Sequence, residues 1–148
     1  MRILVCGGRT FGNLPRDIEP GALPQLQAKA RAERDLVNST LTRLHQQYHF
    51  TVLIQGGQRG ADYWAKKWAE RHGVPVIEFK ANRYPNGRRH GVDRSAGPRR
   101  NALMIADGKP DRVIAFPGGK GTASMLAIAR AAGAEIQRIP AKEATEVA

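Results

Sequence analysis

The chain has 148 residues, 41% of them hydrophobic and 25% charged, with a formal net charge of +11. That is the length and balance of one soluble globular domain with a real core, and no apolar run approaches a transmembrane helix. The surplus of 24 basic over 13 acidic residues favours anionic partners, and a single cysteine, Cys6, excludes an intramolecular disulfide.

The first predicted element is a strand, Ile3–Cys6. It is too short for the apolar core of a signal peptide and runs straight into a glycine turn, so the protein reads as cytoplasmic. Pro15, Pro20, Gly21 and Pro24 make the next stretch a loop. A helix then falls between Leu26 and Tyr48, with Val37, Leu41, Leu44 and Tyr48 on one face. Thr51–Ile54 is the second strand. Ala61–His72 is a helix with Ala61, Trp64, Ala65, Trp68 and Ala69 on one face and Gly73 as its stop. Val74–Phe79 is the third strand. An arginine-rich loop follows, holding Lys80, Arg83, Arg88, Arg89, Arg94, Arg99 and Arg100 against Asp93 alone, and a helix begins near Pro98. Arg112–Phe116 is the fourth strand, Gly121–Ala132 a helix stopped by Gly133, and Glu135–Ile139 the fifth strand. Residues 141–148 form a C-terminal tail without a packing pattern.

Strands alternating with helices imply parallel pairing through right-handed crossovers. The expected fold is α/β: a Rossmann-like doubly wound sheet of about five parallel strands, ordered 3-2-1-4-5 and flanked by helices. Ligands bind such sheets beyond the carboxyl ends of the strands, where the strand order reverses. That point lies between strands one and four.

Three glycine-rich turns occupy that end of the sheet: Cys6–Gly12, Gln55–Asp62 and Pro117–Thr122. Each leaves a strand and is followed by a helical pattern, and free N–H groups at a helix start favour a phosphate. Pro117, Gly118, Gly119, Gly121 and Thr122 carry the strongest local signal, with a hydroxyl to add to the backbone donors. Gly56, Gly57, Gly60 and Ala61 follow the same logic, joined by Asp62, a carboxylate suited to ribose or base hydroxyl and amine groups. Gly7, Gly8, Arg9 and Thr10 bring a cation from the first turn. Arg100 and Asn101 open the helix after the basic loop, where a guanidinium would clamp a phosphate bidentately.

Standard nucleotide fingerprints are absent. The first loop is not GxGxxG, and Gln55 stands where a ribose-binding acid would close strand two. Pro117–Thr122 lacks the spacing of a P-loop, which argues against magnesium-dependent ATP hydrolysis. His45 and His49 are four residues apart without a metalloprotease glutamate, so no metal site is expected and no cofactor is assigned. Cys6, at the end of a buried strand and without a base, reads as a small core residue.

Together Val5–Asn13, Gln55–Ala69, Ala96–Asn101 and Ala115–Thr122 resemble the SLOG superfamily, which includes DprA and the LOG enzymes, and within it the YspA/cpYpsA-related branch. The resemblance runs from Met1 to about Ile139, making residues 1–140 one nucleotide-binding domain in which 14–35 is an insertion. It implies a nucleotide or nucleotide-derived ligand and pairing into a homodimer through helices flanking the site. LOG enzymes are phosphoribohydrolases with a catalytic arginine, matched here by Arg100, and a glutamate three residues after PGGxGT. Met125 stands at that glutamate's position. Methionine neither activates water nor stabilises an oxocarbenium ion, so the resemblance favours holding a ligand over cleaving a nucleoside 5′-monophosphate. Single-stranded nucleic acid, bound as DprA-like relatives bind it, is the remaining alternative. The basic loop permits it, and an aromatic content of 6% weakens it.

Overall fold

The computed structural model describes residues 1–141; the expected tail from residue 142 lies outside them. The elements are β1 (Arg2–Cys6), α1 (Leu23–Tyr48), β2 (Val52–Gln55), α2 (Ala61–Arg71), β3 (Val76–Glu78), α3 (Ala96–Ala106), β4 (Arg112–Ala115), α4 (Lys120–Ala131) and β5 (Glu135–Arg138), with a single 3-10 turn at Arg88–His90. The sheet has the order β3-β2-β1-β4-β5 and every pair is parallel. This is the expected doubly wound arrangement.

Alternation along β1 divides the core. Ile3 and Val5 join α1 and α2 through Val37, Leu41, Ala65 and the fully buried Trp68. Leu4 and Cys6 point to the opposite cluster, with Met104 of α3 and Met125, Leu126 and Ala129 of α4. Successive side chains on a strand leave opposite faces, so a continuous apolar run is what a sheet covered on both faces requires. Burying these side chains stabilises the fold by roughly 1.5–3 kcal/mol for each large one.

Helix boundaries differ from expectation where proline is involved. α1 begins at Leu23 with Pro24 in its first turn, because proline there removes only an N–H that has no intrahelical partner. Residues 23–35 are therefore helical, although Ala30 is the only one of them that is buried. α3 likewise starts at Ala96, ahead of Pro98. β3 spans three residues; at its start the Val74 N–H turns back to Ala69 O at 2.9 Å, closing the end of α2 instead of joining the strand.

Candidate functional site

The carboxyl ends of β1, β2 and β4 carry the three glycine loops, and hydrogen bonds stitch them together. Gly8 N donates to Pro117 O at 2.9 Å, and Ala61 N donates to Gly8 O at 3.1 Å. Gly60 makes the second contact possible. Its φ of +81° suits glycine, and a Cβ there would collide with the carbonyl of Gly8. Gly118 fits as closely, since a Cβ on it would run into Thr122 Oγ1 and stand 2.7 Å from Gly8 N.

A cavity of about 360 Å³ opens between these loops and α3, within the range of small-molecule sites, roughly 300–1,000 Å³. Of the expected residues, Gly7, Gly8 and Arg9 line it from the first loop, and Gly56 and Asp62 from the second. Arg100 and Asn101 reach it from α3, and Gly119, Gly121 and Thr122 from the start of α4. Thr10, Gly57, Gly60, Ala61, Pro117 and Gly118 do not line it. Thr10 is exposed in a turn whose carbonyl accepts Asn13 N. Gly60, Ala61, Pro117 and Gly118 belong to the stitching. The amide that Ala61 was expected to offer an anion is already given to Gly8.

The start of α4 also supplies open donors. A helix leaves its first N–H groups without intrahelical partners. At α4 these are carried by Lys120, Gly121 and Thr122, all lining the cavity. A Cβ on Gly119 or Gly121 would meet nothing within 4 Å. The positive end of the helix dipole therefore faces open space.

Arg100 is 7% exposed and braced from three sides. Its Nη1 donates to Gly56 O at 2.7 Å and Phe79 O at 3.5 Å, and its Nε donates to Asn101 Oδ1 at 2.8 Å. Asn101 in turn donates to Gly121 O at 3.4 Å, linking the guanidinium to the α4 loop. Among the described residues no acceptor takes Nη2. Of the guanidinium nitrogens only Nη2 is thus left for a phosphate, because Nη1 holds the Gly56 and Phe79 carbonyls and Nε holds Asn101. Burial lowers the pKa of Arg100, Asp62 opposes that shift, and Arg83 and Arg9 add to it. Positive charge converges here.

Asp62 is 5% exposed. Its Oδ2 accepts Gly56 N at 3.1 Å and Gln58 N at 3.3 Å, fixing the loop. Among the described residues Oδ1 has no donor. Burial pushes the carboxyl pKa up to about 6, against the pull of the Gln58 N–H, Arg100 and the Gly56 N–H.

Cys6, Met104 and Met125 supply apolar lining, with Met125 only 1% exposed. Burial, helped by Asp62, raises the Cys6 thiol to about 12, so it is not a nucleophile near neutrality. Gln58, Lys120 and Met104 also line the cavity and were not anticipated. Gln58 and Lys120 sit inside motifs already singled out, and Met104 lies one helical turn after Arg100, a spacing that places both on one face. Elsewhere, His45 is a half-buried boundary residue whose Nδ1 accepts Phe50 N at 2.9 Å.

Residues 1–84 match the family described as YAcAr: YspA, cpYpsA-related SLOG family. Among solved structures, the X-ray structure of TM1055, a Northeast Structural Genomics Consortium target, matches 92% of this chain and 72% of its own with a TM-score of 0.59. The two share 19% sequence identity, a likeness of fold alone. No curated protein matches the chain. No described helix is long and apolar enough to cross a membrane.

Proposed function

The chain belongs to the YspA, cpYpsA-related SLOG family, a group of nucleotide-related folds, and from that premise we propose that it binds a nucleotide or nucleotide-derived phosphorylated ligand. The phosphate sits at the N-terminus of α4, against the backbone of Gly119, Lys120 and Gly121 and the hydroxyl of Thr122. Arg9, Lys120 and the free Nη2 of Arg100 neutralise it. The sugar or base rests on the apolar lining of Met104 and Met125, with Asp62 Oδ1 and Gln58 as polar contacts.

One observation carries this reading. At the point where the strand order reverses, an open helix N-terminus and a braced arginine line one cavity of ligand size. Isothermal titration with AMP and ADP-ribose tests it. The expected result is saturable binding that weakens with added salt. Absence of heat with any phosphorylated nucleotide removes the proposal.

A second reading, N-glycosidic hydrolysis of a nucleoside monophosphate, draws on Asp62. Its carboxyl lines the same cavity as Met125, has a free oxygen, and has its pKa raised toward neutrality. Those are the attributes of a general acid or base. Chromatography of nucleoside monophosphates incubated with the protein would show free base; full recovery of intact substrate ends this reading for the substrates tried.

A further inference from the structure

A second concavity, of about 310 Å³, lies at the carboxyl ends of β2 and β3, across the β2–α2 loop from the first. The loop is the partition. Gly56 borders the Arg100 cavity, Gly57 borders the other, and Gln58 borders both. Four cations, Arg59, Lys66, Lys67 and Lys80, line this second space against one carboxylate, Glu78.

Glu78 pairs with two of these cations and leaves the hollow with a positive excess. Its carboxylate oxygens stand 3.7 Å from Lys66 Nζ and 3.5 Å from Lys80 Nζ, and Oε1 also accepts Gln55 Nε2 at 3.1 Å. Lys67 is shared between Glu70 at 3.5 Å and the ring of Tyr63 at 5.4 Å. Among the described residues Arg59 has no acidic partner.

Lysines scattered along a helix are ordinary solvated surface. These cations differ in coming from three segments, the β2–α2 loop, α2 and the end of β3, and converging on one hollow. Like charges gathered in a concavity focus their field, and an entering anion relieves their repulsion. The hollow offers little for a base. Tyr63 is its aromatic residue, and that ring already stacks on Trp64 at 4.9 Å and carries Lys67. Recognition there is by charge.

We infer that this hollow is a second phosphate subsite, taking the phosphate of a second nucleotide unit whose first phosphate occupies the Arg100 cavity. The inference rests on the reading of that cavity as a nucleotide site. The ligand class becomes a nucleotide with two separated phosphates, either a free dinucleotide or the 5′ end of a single strand. Its chain crosses the partition over Gln58.

Calorimetry with AMP, a 5′-phosphorylated diadenylate and a 5′-phosphorylated decaadenylate tests this on the wild type and on the double variant Arg59→Gln, Lys80→Gln. Both side chains are exposed, so the fold should survive. In the wild type the diadenylate should bind about tenfold more tightly than AMP, the scale of one charge-assisted contact. The double variant should lose that gain while its AMP affinity stays within about twofold, and its salt dependence should be shallower, since each phosphate contact contributes a slope of roughly −0.7 on single strands. Equal gains with both longer probes identify a site that reads two nucleotide units; a further gain for the decamer over the diadenylate identifies a strand, and a gain for the decamer without one for the diadenylate overturns the inference. AMP binding with no gain for either longer probe overturns this inference alone. An equal loss for AMP and the longer probes in the variant also overturns it. Failure of every probe on the wild type overturns the nucleotide reading and this inference together.

Discussion

The β2–α2 and β4–α4 loops flank β1 on either side, and both read as glycine turns that open a helix. Gly118 packs as tightly as Gly60, but Gly60 on one side and Gly119 and Gly121 on the other do opposite work. In the β2–α2 loop, Gly60 lets the chain press against the Gly8 carbonyl, and the first amide of α2 is consumed in that contact. In the β4–α4 loop, Gly119 and Gly121 have only open space where a side chain would be, and the first amides of α4 face the cavity. At Gly60 the missing side chain admits a neighbour; at Gly119 and Gly121 it borders open space. Of two helix N-termini that look equivalent, that of α2 gives its first amide to Gly8, while the first amides of α4 border the cavity.

Breaking the closed loop should have the largest effect. Gly60→Ala places a Cβ in the left-handed region and against the Gly8 carbonyl, so both strain and collision apply. We expect a loss of about 3 kcal/mol in urea unfolding, seen as a lower midpoint with an unchanged slope. A variant within about 0.5 kcal/mol of wild type would mean that the stitching of Gly8 to α2 carries no weight.

Arg100 joins the two regions, because its Nη1 holds Gly56 and its Nε reaches the α4 loop through Asn101. Arg100→Ala should therefore cost about 1–3 kcal/mol in stability and a similar amount in ligand affinity, the scale of hydrogen bonds to a charged group. Arg9 is exposed and lines the same cavity, so Arg9→Ala should lower affinity and leave the unfolding midpoint in place. If both variants moved only stability, or both only affinity, the distinction between a bracing arginine and a free one would be lost.

The closed loop should also be sensitive to pH. Burial raises the Asp62 carboxyl from 3.8 to about 6 in the folded protein. The folded state thus holds this proton more tightly than the unfolded chain. Its stabilising contribution is fully present below 3.8, declines as pH rises toward about 6, and is constant above that. Asp62→Asn keeps an oxygen for the Gly56 and Gln58 amides and removes the titration. Subtracting its urea midpoints from those of the wild type across this range should leave a difference that falls with rising pH. A flat difference would show that Asp62 titrates alike in both states.

Much of the fold was legible in the sequence because strand–helix alternation and right-handed crossovers leave few arrangements, and the run Ile3–Cys6 had to be a strand covered on both faces. The helix starts near Pro24 and Pro98 were misplaced because proline marks a loop and a first turn equally well. The site was legible as a set of loops, not as a division of labour among them. A glycine pressed against a carbonyl and a glycine bordering a void are spelled alike, so Gly60 and Gly121 were indistinguishable. The partner that occupies Arg100, the Gly56 carbonyl, is 44 positions away in the chain, and nothing local announces it. Met104 could have been found, since it follows Arg100 by one turn on a helix already recognised.

The subtlest test is on the open loop. Gly121 is the second residue of α4 and a side chain there meets nothing within 4 Å. Its φ lies outside the left-handed region that favours glycine. Alanine is the better helix former, and it narrows the conformations of the unfolded chain, so Gly121→Ala should stabilise the protein by about 0.4–1 kcal/mol. The same methyl group projects at the cavity border, beside the amides proposed to hold phosphate, so affinity for AMP should fall while stability rises. A purely structural turn gives no reason for the two to move apart. Gain of stability with unchanged affinity would place the phosphate elsewhere in the cavity, and loss of stability would show that this loop is closed like its counterpart across β1.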